Sequence, residues 1–162
     1  MSRPTNVLFL CLGNICRSPL AEGLFREHVS RMGLAEEFIV DSAGTSAYHA
    51  GEPPDPGSVY VAATHGLDLS AQRSRPLRRQ DLQDFDFIIP MDRSNEHSLR
   101  QTGDPGTDRA PLLRRFDPTD DPNVDVPDPY RGASGGFEAV YNIIDGSMPG
   151  LIRHIREIGA RS

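Results

Sequence analysis

Apolar and polar positions along this chain switch repeatedly between the period of a strand and that of a helix. Val7-Leu8-Phe9-Leu10 is an unbroken apolar run, as expected of a strand buried on both faces of a parallel sheet. Leu20/Ala21, Leu24/Phe25, His28/Val29 and Met32 then recur at a spacing of four, which marks one face of a helix. Ser18-Pro19 predicts its start, with Ser18 as cap and Pro19 in the first turn, where a missing N–H costs nothing. Glu37 to Ser42 reads as a second strand, and Ala43 to Pro56 as a Gly/Pro-rich loop. Asp55-Pro56 reads as the cap and first residue of a helix running through Val59 to His65. Arg78 to Phe85 is a weaker helical stretch, Phe87-Ile88-Ile89 a third strand, and Asp92 the cap of a helix through His97. Leu112 to Phe116 predicts a fourth strand. Pro118 to Gly136 is a long loop rich in Asp, Pro and Gly, of the kind that carries function. A last helix places Phe137, Val140, Tyr141, Ile144, Met148, Leu151, Ile152, Ile155 and Ile158 on one side. Pro149 within it predicts a kink or break between Gly146 and Gly150. Strands alternating with helices predict a single α/β domain over residues 1–162, with a four-stranded parallel sheet flanked by helices on both faces.

Length and charge narrow the functional classes. At 162 residues the chain has room for one proper core, and a net charge of −6 argues against a nucleic-acid partner. Every basic residue is Arg, which excludes lysine-based chemistry. No segment is long and apolar enough for a membrane span, and the N-terminal apolar run is too short for a signal-peptide core. Two cysteines without a targeting signal point to a reducing, cytoplasmic setting. The histidines and cysteines show no metal-ligand spacing, so no metal is expected.

The candidate chemistry lies between the first strand and the first helix. Cys11-Leu12-Gly13-Asn14-Ile15-Cys16-Arg17-Ser18-Pro19 opens on a cysteine and closes on an arginine at a helix start. The spacing alone is weak, since this composition produces it by chance in roughly one chain of five. The context adds the force: buried strand, tight loop with Gly13 and Asn14, then helix N-terminus is the arrangement of an anion cradle. Cys11 would be a nucleophilic thiolate favoured by the helix end and by Arg17. Arg17 would grip two phosphoryl oxygens with its planar fork, and the backbone N–H groups of Leu12, Gly13, Asn14, Ile15, Cys16 and Arg17 would complete the cradle. A leaving group on phosphorus needs an acid, and the late loop offers Asp117, Asp120, Asp121, Asp125 and Asp128. Tyr48 and Tyr130 are candidates for cleft walls that stack on a substrate ring. Cys16, five residues from Cys11 in one compact loop, is placed to close a disulfide with an oxidised Cys11, which predicts redox sensitivity.

The loop resembles the phosphate loop of the low-molecular-weight protein tyrosine phosphatases at every position. The likeness continues in order through Asp41-Ser42-Ala43-Gly44-Thr45, Asp55-Pro56, His65-Gly66, Met91-Asp92-Arg93-Ser94-Asn95 and Asp128-Pro129-Tyr130-Arg131-Gly132. The resemblance implies a cofactor-free enzyme that hydrolyses aryl phosphate monoesters through a phosphocysteine. It implies that Asp128 is the general acid and base, with Asp92 nearby. It also implies that Asn14, Ser18, Ser42 and His65 form a network holding the loop, with the Ser18 hydroxyl easing thiolate departure. The expected partner is a tyrosine-phosphorylated protein or small aryl phosphate, met by a monomer or weak dimer. The chain departs from the family pattern at Gly57, often Arg; at Tyr48, often Trp; and at Arg131, often a second Tyr in animal members.

Three rival functions fit less well. Protein-arginine phosphatases of this fold carry Thr where Ile15 stands, and an isoleucine cannot hydrogen-bond a guanidinium. Arsenate reductases of this fold relay a disulfide through later cysteines, and no cysteine follows Cys16. A phosphate-binding adaptor without catalysis would not need Cys11, Arg17 and Asp128 together.

Overall fold

The computed structural model describes residues 3–129 and 136–161. Its elements are β1 (Thr5–Cys11), α1 (Arg17–Arg31), β2 (Phe38–Gly44), α2 (Pro56–Thr64), α3 (Asp81–Asp84), β3 (Phe87–Pro90), α4 (Arg93–Thr102) and α5 (Gly136–Ile158). Short 3-10 turns lie at Ala35–Glu37, Thr107–Arg109 and Leu113–Phe116.

β1 is the central strand, paired in parallel with β2 on one side and β3 on the other. Val7 to Leu10 have no exposed surface, which explains the unbroken apolar run. The strand's alternation sorts two cores. Val7, Phe9 and Cys11 pack with α1, α2 and α5, whereas Leu8 and Leu10 pack with Ile88, Ala43, Ala110 and Leu99 of α4. Helices thus cover both faces of the sheet. Phe9, Phe25 and Phe38 form a tilted and edge-on aromatic series that fixes α1 on the sheet.

The expected fourth strand is not there: among the described residues the sheet has three strands. Leu113–Phe116 turns as a 3-10 helix, with Arg115 N–H to Leu112 C=O at 3.1 Å and Asp117 N–H to Arg114 C=O at 3.1 Å. Leu112, Leu113 and Arg114 are buried in succession, but the backbone is closed on itself by these i to i+3 bonds instead of being paired to a neighbouring strand. Pro111 has no N–H to offer a ladder. Two helix details also differ from expectation. α1 begins at Arg17, which puts Ser18 inside the first turn with its hydroxyl free for other work. Pro19 is then the third helical residue, still among the positions whose N–H has no partner within the helix. α5 runs through Pro149 without a break.

Gly57 has a packing reason. A Cβ there would run into the Phe137 ring, so its absence lets the N-terminus of α2 close on α5.

Candidate active site

Every element that supplies the site ends at the same pole, beyond the carboxyl ends of the parallel strands. β1 delivers Cys11, and the following loop wraps over it into α1. The loop is held from outside by its carbonyls. Thr45 N–H donates to Cys11 C=O (2.9 Å), Ser46 N–H to Leu12 C=O (3.0 Å) and Asp55 N–H to Ile15 C=O (2.7 Å). The Ser74 hydroxyl donates to Gly13 C=O (2.9 Å) and the Ser58 hydroxyl to Cys16 C=O (3.1 Å). In a trans peptide the C=O and the next N–H point in opposite directions. Five carbonyls tied outward therefore turn the N–H groups of Leu12, Gly13, Asn14, Cys16 and Arg17 toward the hollow above Cys11. With the N-terminus of α1 directly behind, the hollow favours an anion. Asn14 reverses the chain at φ 56°, in the left-handed region that asparagine tolerates.

Cys11 is a free thiol, 2 % exposed, with Sγ 3.0 Å from the Ser18 hydroxyl. Asn14 Nδ2 donates to Ser18 Oγ (2.8 Å) and to Ser42 Oγ (2.9 Å), and Asn14 Oδ1 accepts the Arg75 N–H (3.0 Å). Ser42 donates onward to Glu22 Oε1 at 2.7 Å. Arg17 is buried, and its Nη1 donates to Asp92 Oδ2 (2.7 Å) and to the Val126 carbonyl (2.9 Å). Asp92 does two jobs at once. Its other oxygen accepts the Asn95 N–H (2.7 Å) and caps α4, and Asn95 Oδ1 returns a bond from the Asp92 N–H.

The long loop after the missing strand is tied to this centre. Arg114 is buried and donates to the Asp125 carbonyl (2.7 Å) and to Asp121 (2.9 Å), while Val126 N–H reaches Met91 C=O (2.9 Å). Arg93 holds the Asp125 carboxylate, and its guanidinium hydrogen bonds draw on that acid's charge. These ties lead the chain to Asp128, which lines a cleft of about 340 Å³ together with Cys11, Arg17, Ser46, Tyr48 and His49.

The structure thus brings together Cys11, Leu12, Gly13, Ile15, Cys16, Arg17, Tyr48 and Asp128 around one cleft, with Asn14, Ser18, Ser42 and Asp92 bonded behind it. Tyr48 is largely exposed and stands edge-on to His49, with ring centroids 4.8 Å apart. Tyr130 lies outside the described residues. His65 is a correction. It does not join the loop network but ends α2, where its ring stacks on Tyr141 at 3.9 Å and Nε2 meets Glu138 Oε1 at 2.9 Å. The partner of α2 at that end is α5, not the phosphate loop.

Several residues of the site went unread in the sequence, among them His49, Arg75 and Glu22. His49 lies over the loop so closely that a Cβ at Gly13 would come 3.0 Å from its Cδ2, and its Nδ1 meets Glu52 at 2.8 Å. Arg75 supports Asn14 through its backbone and binds the fully buried Asp81 through its guanidinium, at 3.0 and 3.2 Å. Burial raises the Asp81 carboxyl, but the Arg75 and Arg78 bonds outweigh it and hold its pKa below the ordinary value. Glu22 sits one helical turn after Ser18 and one before Arg26, a spacing that puts all three on one side of α1. That spacing was the available signal. For His49 and Arg75, in irregular segments, there was none.

A parallel sheet with an amide-lined loop at the end of its first strand, a cysteine below and an arginine beside it, defines a phosphate-monoester enzyme working by cysteine nucleophile. Comparison with known proteins agrees. Residues 6–160 match the family model described as low molecular weight phosphotyrosine protein phosphatase. The low molecular weight protein-tyrosine-phosphatase YfkJ of Bacillus subtilis is 40% identical over 154 residues, covering 94% of this chain and 96% of that protein. Its crystal structure superposes with a TM-score of 0.88 over 97% of this chain and 98% of that chain, at 37% identity. A protein tyrosine phosphatase from Entamoeba histolytica gives a TM-score of 0.87 at 34% identity, over 94% of this chain and 97% of that one. The chain belongs to the low molecular weight phosphotyrosine protein phosphatase family, and it is an enzyme of the protein-tyrosine-phosphatase type.

Proposed function

We propose that the chain hydrolyses aryl phosphate monoesters, phosphotyrosine above all, by two displacements at phosphorus centred on Cys11. The observation that carries the reading is that Cys11, Arg17 and Asp128 line one and the same cleft. The phosphate dianion enters the hollow and takes hydrogen bonds from the loop N–H groups. Arg17, already steadied through Nη1 by Asp92 and Val126, has Nε and Nη2 left to meet two phosphoryl oxygens. The Cys11 thiolate attacks phosphorus in line. The S–P bond forms as the P–O bond to the phenol breaks, and Asp128 gives its proton to the leaving oxygen. Asp128, now ionised, takes a proton from water as that water attacks the phosphocysteine. Phosphate leaves and the thiolate returns, its charge met by the Ser18 hydroxyl.

Ile15 supports an aryl ester over phosphoarginine, because it presents a methyl-bearing side chain to the cleft where a guanidinium would need an acceptor. The partner is a tyrosine-phosphorylated protein or small aryl phosphate. The enzyme works as a monomer or weak dimer in the cytoplasm. None of the described helices is long and apolar enough to cross a membrane. The test is p-nitrophenyl phosphate turnover in excess chelator by wild type and Cys11→Ser, followed by kcat/KM on phosphotyrosine and phosphoarginine. Wild type is expected to turn over without metal, the variant to bind phosphate but lose essentially all rate, and phosphotyrosine to be preferred. More than a few per cent of activity in the variant, or a preference for phosphoarginine, would overturn the reading.

A further inference from the structure

Glu22 is a buried acid that the two displacements do not use. It is 4 % exposed and faces the interior side of α1. Burial pushes its pKa up, the Ser42 hydroxyl and Arg26 pull it back, and Asp41 on β2 adds to the rise. Asp41 is itself occupied, by Arg75 Nε at 3.1 Å and by the Ser42 N–H at 2.8 Å. Arg26 binds Glu22 through Nη1 and reaches the Val40 carbonyl through Nη2 at 2.6 Å, so the cation is anchored to the sheet edge.

The donor and acceptor inventory of the chain from Glu22 to Cys11 has one consistent solution. A carboxylate only accepts, so Ser42 spends its single proton on Glu22 (2.7 Å). The lone pairs of Ser42 then face Asn14, whose Nδ2 donates to it (2.9 Å). The amide cannot be turned over, because its oxygen already accepts the Arg75 N–H (3.0 Å). The second proton of Asn14 Nδ2 goes to Ser18 Oγ (2.8 Å). Ser18, having accepted there, has its own proton left for Cys11 Sγ, 3.0 Å away. The directions are set by the Glu22 carboxylate at one end, the Arg75 N–H on Asn14 in the middle, and Cys11, as a thiolate that can only accept, at the other end.

We propose that Glu22 is a positioning residue for the nucleophile: its carboxylate, clamped by Arg26, takes the Ser42 proton and so fixes Ser42 as the acceptor that, with the Arg75 N–H, holds Asn14 at the head of the chain through Ser18 to the Cys11 sulfur. The proposal rests on the reading of Cys11 as a reactive thiolate. It predicts that Glu22 tunes that thiolate from four side chains away, without touching substrate. An amide at position 22 removes the acceptor of the Ser42 proton and loosens the support of Asn14. Arg26 offers only donors, so the amide oxygen turns to it and the amide N–H is left facing Ser42, which then meets donors on both sides.

The experiment is alkylation of Cys11 by iodoacetamide across pH 5–8, read by mass spectrometry of the Cys11 peptide, in wild type, Glu22→Gln, Ser42→Ala and the double variant. Circular dichroism and Tm report folding. Expected is a slowing of about tenfold at pH 6 in Glu22→Gln, equivalent to a profile moved up by about one pH unit. Ser42→Ala keeps the Glu22–Arg26 pair and should slow by a similar factor. The double variant should be no slower than either single one, because both cut the same chain. A purely structural role would give factors that multiply. Wild-type alkylation in a folded Glu22→Gln, or multiplied losses in the double variant, overturns the proposal. If Glu22→Gln does not fold, Ser42→Ala decides alone, and wild-type alkylation there overturns it. Alkylation needs no turnover, so p-nitrophenyl phosphate hydrolysis by wild type tests the proposed function separately.

Discussion

Replacing Arg17 by Lys keeps the charge and removes the geometry, and the structure allows the two to be priced apart. Arg17 Nη1 is spent on Asp92 and on the Val126 carbonyl, at 2.7 and 2.9 Å. Nε and Nη2 remain for the phosphoryl group. A lysine has one nitrogen for all four contacts. If it keeps Asp92 and one phosphoryl oxygen, one charge-assisted hydrogen bond to the transition state is lost, worth roughly 1.5–3 kcal/mol. That corresponds to a fall in kcat/KM of roughly 10- to 150-fold. Separately, the buried Val126 carbonyl loses its donor, which costs about 1–3 kcal/mol of stability whether or not substrate is present. The assay is kcat and KM on p-nitrophenyl phosphate beside urea unfolding of the free protein. The reasoning requires both losses. A lysine variant within threefold of wild-type rate would show that a point charge suffices, and unchanged unfolding would show that the Val126 contact does nothing for the fold.

Asp128→Ala should slow phenyl phosphate by roughly 10²-fold or more, slow activated esters much less, and flatten the basic limb of the pH–rate profile. Equal losses on both ester types would remove Asp128 from the proton transfer. Asp86 makes a pH prediction. Burial raises its carboxyl, but Arg3 and the N–H groups of Asn6 and Arg161 more than offset this and hold its pKa at about 2. Because the folded value lies below the unfolded one, its stabilisation is complete above the ordinary carboxylate range and is lost as pH falls toward 2. With Arg3 half-exposed, solvent screening keeps its share of this stabilisation small. The urea-stability gap between wild type and Asp86→Asn should therefore narrow from pH 5 to pH 2, and a constant gap would refute the assignment. Under equal peroxide followed by dithiothreitol, wild type should recover more activity than Cys16→Ser and yield a Cys11–Cys16 linked peptide. Equal recovery without that peptide would leave Cys16 as packing alone.

The parts of the molecule that a linear pattern can encode were readable. β1, the cap of α2 and the cap of α4 rest on neighbouring residues, and Asp55 and Asp92 do accept the N–H bonds that their positions suggested. The expected strand at Leu112 failed because an apolar run does not say what its backbone pairs with. Here Arg114 is buried within the run to hold the acidic loop, a long-range duty invisible to periodicity. His65 failed for a related reason. Its place at a helix end was legible, but which neighbour it would meet depended on how α5 crosses α2. Ser18 looked like a cap, and its use against Cys11 follows only from the helix starting two residues earlier, at Arg17. Glu22, Ser42 and Asn14 come from three separate elements, so their chain exists only after folding.

The two ends of the described chain meet on one carboxylate. Asp86, just before β3, accepts the Arg3 guanidinium at 2.6 and 2.9 Å and the Arg161 N–H at 2.9 Å, and Arg3 also donates to the Arg161 carbonyl at 2.9 Å. Because the strands run parallel, this knot lies at the pole opposite the cleft. A linker of a few residues would join position 161 to position 3 with little distortion, and a permutant opened at the exposed turn around Asp104 should keep the cleft intact. For the same reason, a bead, a dye or a fused module attached near residue 3 or residue 161 would hold the enzyme with its mouth facing away from the attachment. Any immobilised form made this way should present the catalytic end to solution.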